Sequence, residues 1–499
     1  MAPLYPDHIG LANWLLLVAA SVVTYFVSIA VYRLTLHPLR SFPGPLSYRI
    51  SNVPRAILGA RGEMGHYVAD LHRKYGPIVR IGPDELAFSD PQAWKDIYGH
   101  SAPGQEEFPK YDKLYRPFDG MPTSIISAGR KEHGLVRRQL AHGFSERSMR
   151  GQEPIIGGYV DLLIQRLRAA CEGGNKPLNM RNWLNYATFD IIGDLGFGSP
   201  FGCLESSDYH PWVRVITDNI KQGAIFNSLQ AVGGRPILQF LQRNGFLKSR
   251  DQHQELVKEK LAQRLELDAE RPDLIEGLIR KRDELSLDLG KLRLNASVLI
   301  VAGSETTATL LSGAVFLLTA HPAILEKLAH EVRSSFSKEE EITLLSVNKL
   351  HYMLACLNET LRHYPPVGGG LPRQSPKGGA MVAGKFIPEG TVTAVWQWAI
   401  NHDPNHWTKP MEFHPERFLE DPAFKGDKLD AMQPFSTGPR NCIGRNLAYA
   451  EMRLILAKII YNFDMKLADE SRGWLETQKL YVIWDKPPLD VYLTPVVHS

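Results

Sequence analysis

The feature that most limits how this chain can fold is a run of 22 residues without a charged side chain near its start, from Leu11 to Tyr32. As an α-helix with a rise of about 1.5 Å per residue, the run would be about 33 Å long, which is enough for the hydrocarbon core of a bilayer. Trp14 and Tyr32 lie where the aromatic residues of a membrane interface would lie. The run predicts a single N-terminal transmembrane helix.

A cleaved signal peptide and a buried core helix are the two alternatives for this run. A signal peptide has a basic start and a shorter apolar core, whereas Asp7 precedes this run and no lysine or arginine does. Arg33 and Arg40 follow it, so the positive-inside rule predicts a cytosolic body. Prolines in the following Ser-Phe-Pro-Gly-Pro segment predict a stiff turn. We therefore expect an anchor and hinge over 1–45 and one large unit over 46–499.

The composition of the chain is that of a globular protein, with 44% hydrophobic and 22% charged residues. Lysine and arginine exceed the acidic residues by 57 to 54, which gives no reason to expect a nucleic-acid partner. The four cysteines are too few and too scattered for a disulfide framework or a zinc site, and this usage fits a reducing compartment. They are Cys171, Cys203, Cys356 and Cys442.

The patterning of the body predicts a mainly α fold with a minor β sheet. Strand-like segments occur at 78–81 and 85–88, helical patterns fill about 130–365, turn-rich segments follow over 366–420, and an apolar helix is expected at about 443–462. Leu292–Ala320 is apolar enough to suggest a second membrane span. Glu305 interrupts it, and a charge in mid-bilayer is costly. A helix through the centre of a soluble domain is the better prediction.

The segment from Phe435 to Gly444, with the sequence FSTGPRNCIG, carries the strongest chemical signal. Gly438 and Gly444 flank Cys442 and allow unusual backbone angles, and the helix predicted after the cysteine favours a thiolate at its positive end. Arg440 is close enough in sequence to pair with a carboxylate of a cofactor. Without the surrounding pattern, a structural cysteine in a surface loop would be the simpler interpretation.

This segment resembles the haem-binding loop of the cytochrome P450 family, Phe-x-x-Gly-x-Arg-x-Cys-x-Gly, at every fixed position. The resemblance implies the cytochrome P450 fold, and haem b with Cys442 as the axial thiolate ligand of the iron. Phe435, Gly438, Arg440 and Gly444 would belong to the cofactor site. A thiolate ligand favours O–O cleavage, and most of the chemistry would be that of the cofactor.

Two later segments resemble further motifs of the family. The Glu359–Arg362 segment, ETLR, matches the Glu-x-x-Arg helix, and Pro-Glu-Arg-Phe at 415–418 matches a later segment. The resemblance implies that Glu359, Arg362 and Arg417 form a structural network behind the haem. Taken alone, an acid and a base at i and i+3 are usually an exposed pair worth little.

The central helix contains the sequence AGSETT from Ala302 to Thr307, which resembles the oxygen-activation pattern of the family. Dioxygen must receive protons before it splits, and a hydroxyl backed by a carboxylate can relay them. The resemblance implies that Thr306 and Glu305 are catalytic and that Ala302 lies against the cofactor, and we expect Gly303 to leave room for dioxygen. The alternative for Thr306 is a hydrogen bond to a carbonyl one turn earlier.

Arginines are expected to bind the haem propionates. The family usually carries Trp-x-x-x-Arg where this chain has His133 and Arg137, so the departure weakens the role of His133 more than that of Arg137. Arg373 matches another propionate position. The resemblance implies that Arg137, Arg373 and Arg440 share the two carboxylates; exposed arginines are the alternative.

The chain lacks sequence motifs for binding a nicotinamide or flavin cofactor, so its electrons should come from another protein. The resemblance implies NADPH-cytochrome P450 reductase, with cytochrome b5 as a further candidate. A basic surface near Cys442 would suit an acidic partner. We expect it to include Arg130, Lys131, Arg138 and Arg445.

The start of the body resembles the filamentous-fungal microsomal branch of the family. This implies a single-pass protein of the endoplasmic reticulum membrane that hydroxylates or epoxidises a lipophilic terpenoid, alkaloid or polyketide in secondary metabolism. We expect the substrate pocket at about 100–125, 205–250 and the helix face with Val298, Ala302 and Thr306. A haem-thiolate isomerase or dehydratase, or a membrane haem carrier or sensor, would not need the Glu305–Thr306 pair.

Overall fold

The computed structural model describes residues 11–101, 105–116, 120–244, 248–267, 273–282, 284 and 287–498. The expected pocket stretches at 100–125 and 205–250 lie partly outside these residues. Helices dominate the described chain and strands are short, which confirms the predicted mainly α fold with a minor sheet.

The helices of the first half begin with the apolar N-terminal helix and end before the central one. They are α1 (Leu11–Thr35), α2 (Leu46–Ile50), α3 (Val53–Arg61), α4 (Met64–Tyr75), α5 (Pro91–Tyr98), α6 (Asp112–Tyr115), α7 (Arg130–Ala141), α8 (Glu146–Ala170), α9 (Met180–Phe197), α10 (Cys203–Ser206), α11 (Pro211–Ala231), α12 (Arg235–Arg243), α13 (Lys248–Glu266) and α14 (Glu276–Arg280).

The second half contains the central helix and the helix that follows the cysteine loop. Its helices are α15 (Leu289–Ala320), α16 (Pro322–Ser335), α17 (His351–His363), α18 (Gln397–Asn401) and α19 (Arg445–Asn462).

The strands form one four-stranded sheet, one three-stranded sheet and two hairpins. They are β1 (Ile78–Gly82), β2 (Glu85–Phe88), β3 (Pro177–Asn179), β4 (Arg373–Gln374), β5 (Ala380–Val382), β6 (Lys385–Ile387), β7 (Val392–Val395), β8 (Phe463–Leu467), β9 (Lys479–Leu480), β10 (Trp484–Asp485) and β11 (Asp490–Pro495).

The largest sheet has the order β1-β2-β7-β4. β2 pairs in parallel with β7, with Glu85 opposite Val392, while β1 and β4 pair antiparallel at the two edges. The order β3-β11-β8 gives the second sheet, and β5-β6 and β9-β10 are hairpins. The larger sheet thus joins the start of the body to the segment after α17, and it carries Arg373 at its β4 edge.

Two long apolar helices have opposite environments. In the most apolar 18-residue stretch of α15, 72% is buried inside the protein. In the corresponding stretch of α1, none is buried. α15 begins where the Asp288 side chain accepts a hydrogen bond from the Lys291 backbone N–H at 2.7 Å, which satisfies a free donor of its first turn. The structure confirms the predicted central core helix, and α1 is an exposed apolar helix long enough to cross a membrane.

The proline-rich segment after α1 is fixed to the body. The Arg80 N–H donates to the Pro43 carbonyl at 2.7 Å, and a Cβ on Gly44 would come within 2.3 Å of the Arg80 carbonyl oxygen. The buried Arg80 guanidinium donates to the backbone carbonyls of Arg33 and Pro83. The end of α1 is therefore connected to β1 by hydrogen bonds.

Candidate active site

The loop before α19 is folded so that Cys442 lies between two fixed backbone contacts. The Cys442 N–H donates to the Phe435 carbonyl at 2.8 Å, and the Gly444 N–H is hydrogen bonded to the thiol. Gly438 has φ of 73°, and a Cβ there would come within 2.0 Å of the Tyr98 carbonyl oxygen. The loop requires glycine at 438 for both reasons.

Cys442 is exposed, whereas Cys171, Cys203 and Cys356 are buried. Burial nevertheless raises the pKa of the Cys442 thiol, because protein atoms surround it; the Gly444 N–H, Arg137 and Arg445 act in the opposite direction. A side chain that is enclosed by the protein and still accessible to solvent lines an internal space. A metal ion in that space would ionise the thiol outright.

Phe435 packs beside the same loop. Its ring lies 5.3 Å from that of Tyr449 on α19, and the Arg445 guanidinium lies 5.9 Å from its centre. The aromatic ring and the positive charge thus lie where α19 begins, and the charge of Arg445 acts on the Cys442 thiol. α19 starts at Arg445 with Gly444 as its N-cap residue, which directs the positive end of the helix dipole toward the loop.

Arginines expected to bind a cofactor carboxylate gather next to this loop. Arg440 donates through Nη1 to the Ala128 carbonyl at 2.8 Å and through Nη2 to Glu107 at 2.7 Å. Arg373 donates to the Phe108 carbonyl at 3.2 Å. Arg137 on α7 donates through Nη1 to the Asn441 carbonyl at 2.7 Å.

His133 lies one helical turn before Arg137 and is buried. Burial, together with the charges of Arg440 and Arg137, lowers its pKa to about 4. His133 is therefore neutral near pH 7. It can donate one hydrogen bond to an anion but cannot form an ion pair with it. It occupies the position at which the family resemblance led us to expect a tryptophan.

Two neighbours of this cluster were missed by the sequence analysis. Lys110 is paired with Arg373 in an isolated β-bridge. Burial, and to a smaller extent the charges of Arg373 and Arg440, hold the pKa of Lys110 well below its usual value. Glu107 is the carboxylate bound by Arg440. Both lie in a stretch without regular secondary structure, so no periodic or motif signal could have placed them.

The cluster fits a cofactor with acidic groups. The Nε atoms of Arg373 and Arg440 are buried and have no hydrogen-bond partner among the described residues. Buried donors are rarely left unpaired. Among the described residues, Glu107 is the carboxylate that pairs with Arg440 and whose charge acts on Arg373 and Lys110. The two propionates of a haem would supply the acceptors that these donors lack, and Cys442 would be a ligand for its iron.

The central helix turns one face toward interior space. Ala302 is exposed although most of α15 around it is buried, and Val298 and Thr306, one turn before and after it, are partly exposed. The Thr306 hydroxyl donates to the Ala302 carbonyl at 2.6 Å. The backbone hydrogen bond anticipated for Thr306 is therefore present, and its oxygen keeps lone pairs free to accept a proton.

Gly303 does not lie on this face. A Cβ there would come within 2.6 Å of Cδ1 of Ile192 on α9. The expectation that Gly303 leaves room for dioxygen is wrong: the absent side chain allows α9 and α15 to cross closely. The sequence could not predict this, because tertiary packing decides that α9 is the helix that lies against α15 at Gly303.

Glu305 is buried and forms an ion pair with Lys486, whose Nζ also lies 2.6 Å from the Thr309 hydroxyl. Lys486 follows β10 near the end of the chain and was not singled out from the sequence, because nothing local marks it.

The Glu359 carboxylate is fully buried and binds two guanidinium groups. Arg362 donates to it through Nε and Nη2, both at 2.7 Å, and Arg417 donates through Nε at 3.1 Å. Arg417 also pairs with Asp427, which the sequence analysis missed. The three residues grouped from their motifs are thus in direct contact, at the junction of α17 with the segment before the cysteine loop.

Comparisons with known proteins agree with this geometry. The family model described as cytochrome P450 matches residues 43–493. A cytochrome P450 monooxygenase, tpeC, of Talaromyces stipitatus is 50% identical, over 96% of this chain and 94% of its own length. The trichothecene C-15 hydroxylase of Fusarium sporotrichioides is 46% identical over 95% and 96%. The averantin hydroxylase of Dothistroma septosporum is 41% identical over 99% and 95%.

These matches confirm the resemblance, the fold class and the monooxygenase activity predicted from the sequence. Membership implies a haem bound by a cysteine thiolate, a redox partner and a hydrophobic substrate, and the exposed apolar α1 is consistent with membrane anchoring. The chain belongs to the cytochrome P450 family.

Proposed function

We propose that this monooxygenase binds haem b through Cys442 and oxidises a lipophilic intermediate of fungal secondary metabolism by hydroxylation or epoxidation. The observation that carries the proposal is the accessible Cys442 thiol in the interior, next to buried arginine nitrogens without partners. When bound, the haem supplies the iron that activates dioxygen. Side chains of the chain itself would hold the haem, bind the substrate and move protons.

The arginine cluster would hold the cofactor by its carboxylates. Arg440 and Arg373 each have a free Nε, and Arg137 is placed beside them by its bonds to Asn441. His133 would complete the contact as a neutral donor. Phe435, Gly438, Gly444 and Ala302 would shape the two faces of the cofactor slot.

Thr306 and Glu305 are the proposed catalytic residues. The Thr306 Oγ1 would pass protons into the internal space, with the Ala302 carbonyl as its acceptor at rest. Glu305 would supply these protons to Thr306 from the buried side of α15. The face formed by Val298, Ala302 and Thr306 would hold the apolar substrate.

Glu359, Arg362 and Arg417 would have a structural role and contribute to cofactor retention rather than to the reaction. Their contacts fix α17 against the segment that leads into the cysteine loop. This arrangement supports the position of Cys442 without any contact with substrate.

Electrons would come from NADPH-cytochrome P450 reductase, with cytochrome b5 as a second donor. Arg130, Lys131, Arg138 and Arg445 are all exposed, and α7 is held against the cysteine loop through Arg137. Basic groups around the sulfur would orient an acidic partner and speed encounter. The rate of reduction should therefore fall as salt is raised; a flat response would contradict this docking surface.

We infer that the protein spans the endoplasmic reticulum membrane once, with residues 1–45 as anchor and hinge and 46–499 as a cytosolic body. Support comes from the exposed α1 and from Arg33 and Arg40 at its end. Protease treatment of intact microsomes should degrade the body. Protection until detergent is added would contradict the orientation.

The proposed activity is tested by expressing the chain with a reductase and feeding candidate pathway intermediates. We expect NADPH- and reductase-dependent oxygen consumption and a product heavier by one oxygen atom in mass spectra. An isomerase or dehydratase would give a product without added oxygen from O₂, and a haem carrier or sensor would give none.

A further inference from the structure

A short segment between α6 and α7 lies against the first half of the central helix. This segment, residues 121–128, contains neither a helix nor a strand. A Cβ on Gly290, in the first turn of α15, would lie 4.0 Å from Cγ of Pro122. The Ile125 backbone N–H donates to the side-chain oxygen of Asn295 at 2.8 Å. The segment therefore follows α15 from its first turn toward its middle.

Asn295 shares a face of α15 with the residues that border the internal space. Successive residues of an α-helix are turned by about 100°, so Asn295, Ala302 and Thr306 lie almost in line. Ala302 is exposed and Thr306 is partly exposed, whereas Asn295 is only 1% exposed. The contact with Ile125 shows that the segment 121–128 covers this end of the face. The segment thus closes the internal space at the Asn295 end of α15.

The Asn295 side chain is held in place at both ends of its amide group. Its Nδ2 donates to the Lys291 carbonyl one turn earlier at 2.8 Å, and this bond directs its oxygen toward the Ile125 N–H. Asparagine is a poor helix former, because its side chain competes for backbone hydrogen bonds. Here that side chain supplies the acceptor for another segment. A backbone N–H that loses its acceptor on burial is destabilising, so the segment depends on this amide.

Two further contacts hold the ends of the segment. At its start, the Thr123 hydroxyl donates to Glu132 at 2.7 Å, and Glu132 also binds Lys291 on α15 at 2.7 Å. At its end, the Ala128 carbonyl accepts from Arg440 at 2.8 Å. Among the hydrogen bonds of the described residues, the one to Asn295 attaches the middle of the segment to α15. Loss of that bond would leave the middle free to move while both ends stay attached.

We propose that Asn295 is a positioning residue for substrate selection, which holds residues 121–128 across the end of the pocket and thereby limits substrate length. The proposal rests on the pocket face proposed above, with Val298, Ala302 and Thr306. A lipophilic substrate oxidised beside Thr306 can extend along this face for about 16 Å, at about 1.5 Å per residue, before it meets the segment. Longer molecules require the segment to move.

The test titrates the haem-loaded, full-length protein with N-alkylimidazoles of increasing chain length, whose free ring nitrogen binds haem iron and shifts its absorption band. In the wild-type protein, affinity should rise with chain length while the alkyl group fits along α15, and then fall. In Asn295→Ala the fall should move to longer chains, with several-fold tighter binding of the longest members and unchanged binding of the shortest. Identical chain-length profiles in the two proteins would overturn the proposal.

Asn462→Ala is the matched control. Asn462 on α19 is also 1% exposed, and its side chain donates to the Lys458 carbonyl one turn earlier at 2.9 Å. Its oxygen accepts from Arg168 on α8 instead of from the segment over α15. This variant should keep the wild-type chain-length profile. A shift of the profile in Asn462→Ala would show that loss of any buried asparagine loosens the pocket, and would refute a specific role for Asn295.

Hydrogen exchange followed by mass spectrometry tests the contact without any imidazole. The peptide that contains Ile125 should exchange several-fold faster in Asn295→Ala than in the wild-type protein and in Asn462→Ala. Unchanged exchange would overturn the proposal. If exchange changes as expected but no imidazole shifts the absorption band of the wild-type protein, the proposed function fails, and with it the limit on substrate length. The attachment of the segment to α15 would then stand by itself.

Discussion

The buried Glu359 network gives the sharpest prediction of stability. Glu359→Gln keeps the shape of the side chain but removes the charge that receives Arg362 at 2.7 Å through two nitrogens and Arg417 at 3.1 Å. Arg417 retains Asp427, while Arg362 keeps three backbone carbonyls and the His363 ring nitrogen, none of which is negatively charged. One guanidinium is therefore left buried without a counter-charge.

Removing one partner of a buried pair costs about 3–5 kcal/mol, because the remaining charge is desolvated and unpaired. We expect the free energy of unfolding of Glu359→Gln to fall by about this amount. The assay is urea unfolding followed by tryptophan fluorescence, with release of haem recorded in the same titration. Because cofactor loss can uncouple the two signals, both midpoints should be compared, and both should move to lower urea.

Glu412→Gln is the matched control for this prediction. Glu412 lies in the same region but is exposed, with Lys409 and His414 as its side-chain partners, and exposed pairs contribute little. Its midpoints should stay at the wild-type value. If Glu359→Gln and Glu412→Gln behave alike, the network does not hold α17 in place and the reasoning is refuted.

The remaining predictions concern the loop, the relay and acid stability. Gly438→Ala should abolish haem binding, because its Cβ would overlap the Tyr98 carbonyl, whereas Gly134→Ala, with open space at its Cβ, should bind haem normally in the same absorbance assay. Thr306→Ala should retain haem but release more peroxide per NADPH; unchanged coupling would remove Thr306 from the relay. Burial lowers the pKa of His402 to about 3, so the unfolded chain binds protons that the folded chain does not. This contribution to the free energy of unfolding is fully present above about pH 6.5 and is lost as the pH falls toward 3. Urea midpoints measured at each pH should show the loss, and the loss should be smaller in His402→Phe.

The parts of this protein that the sequence predicted well are those encoded in short stretches. The uncharged run at 11–32 could be interpreted alone, since length and lack of charge decide whether a helix can span a bilayer. The loop around Cys442 was equally local, because its glycines and cysteine lie within ten residues. The placement of α15 in the core followed from the cost of Glu305 in a membrane.

Interactions between distant residues could not be predicted in the same way. Lys486 is 181 positions from Glu305, and no sequence pattern near either residue predicts their ion pair. Glu107 reaches Arg440 across 333 positions. Gly303 was assigned to the wrong neighbour, because the sequence of one helix does not say which helix crosses it. Such contacts depend on the tertiary arrangement.

The central claim is that the Cys442 sulfur binds the haem iron, and the absorption spectrum of the reduced, carbon-monoxide-bound protein tests it most directly. The wild-type protein should show the red-shifted Soret band of a thiolate ligand, and Cys442→Ala should lose it, while Cys356→Ala, which removes a buried thiol elsewhere, should keep it. A wild-type spectrum typical of a nitrogen ligand, or a Cys442→Ala protein that retains the red-shifted band, would contradict the account.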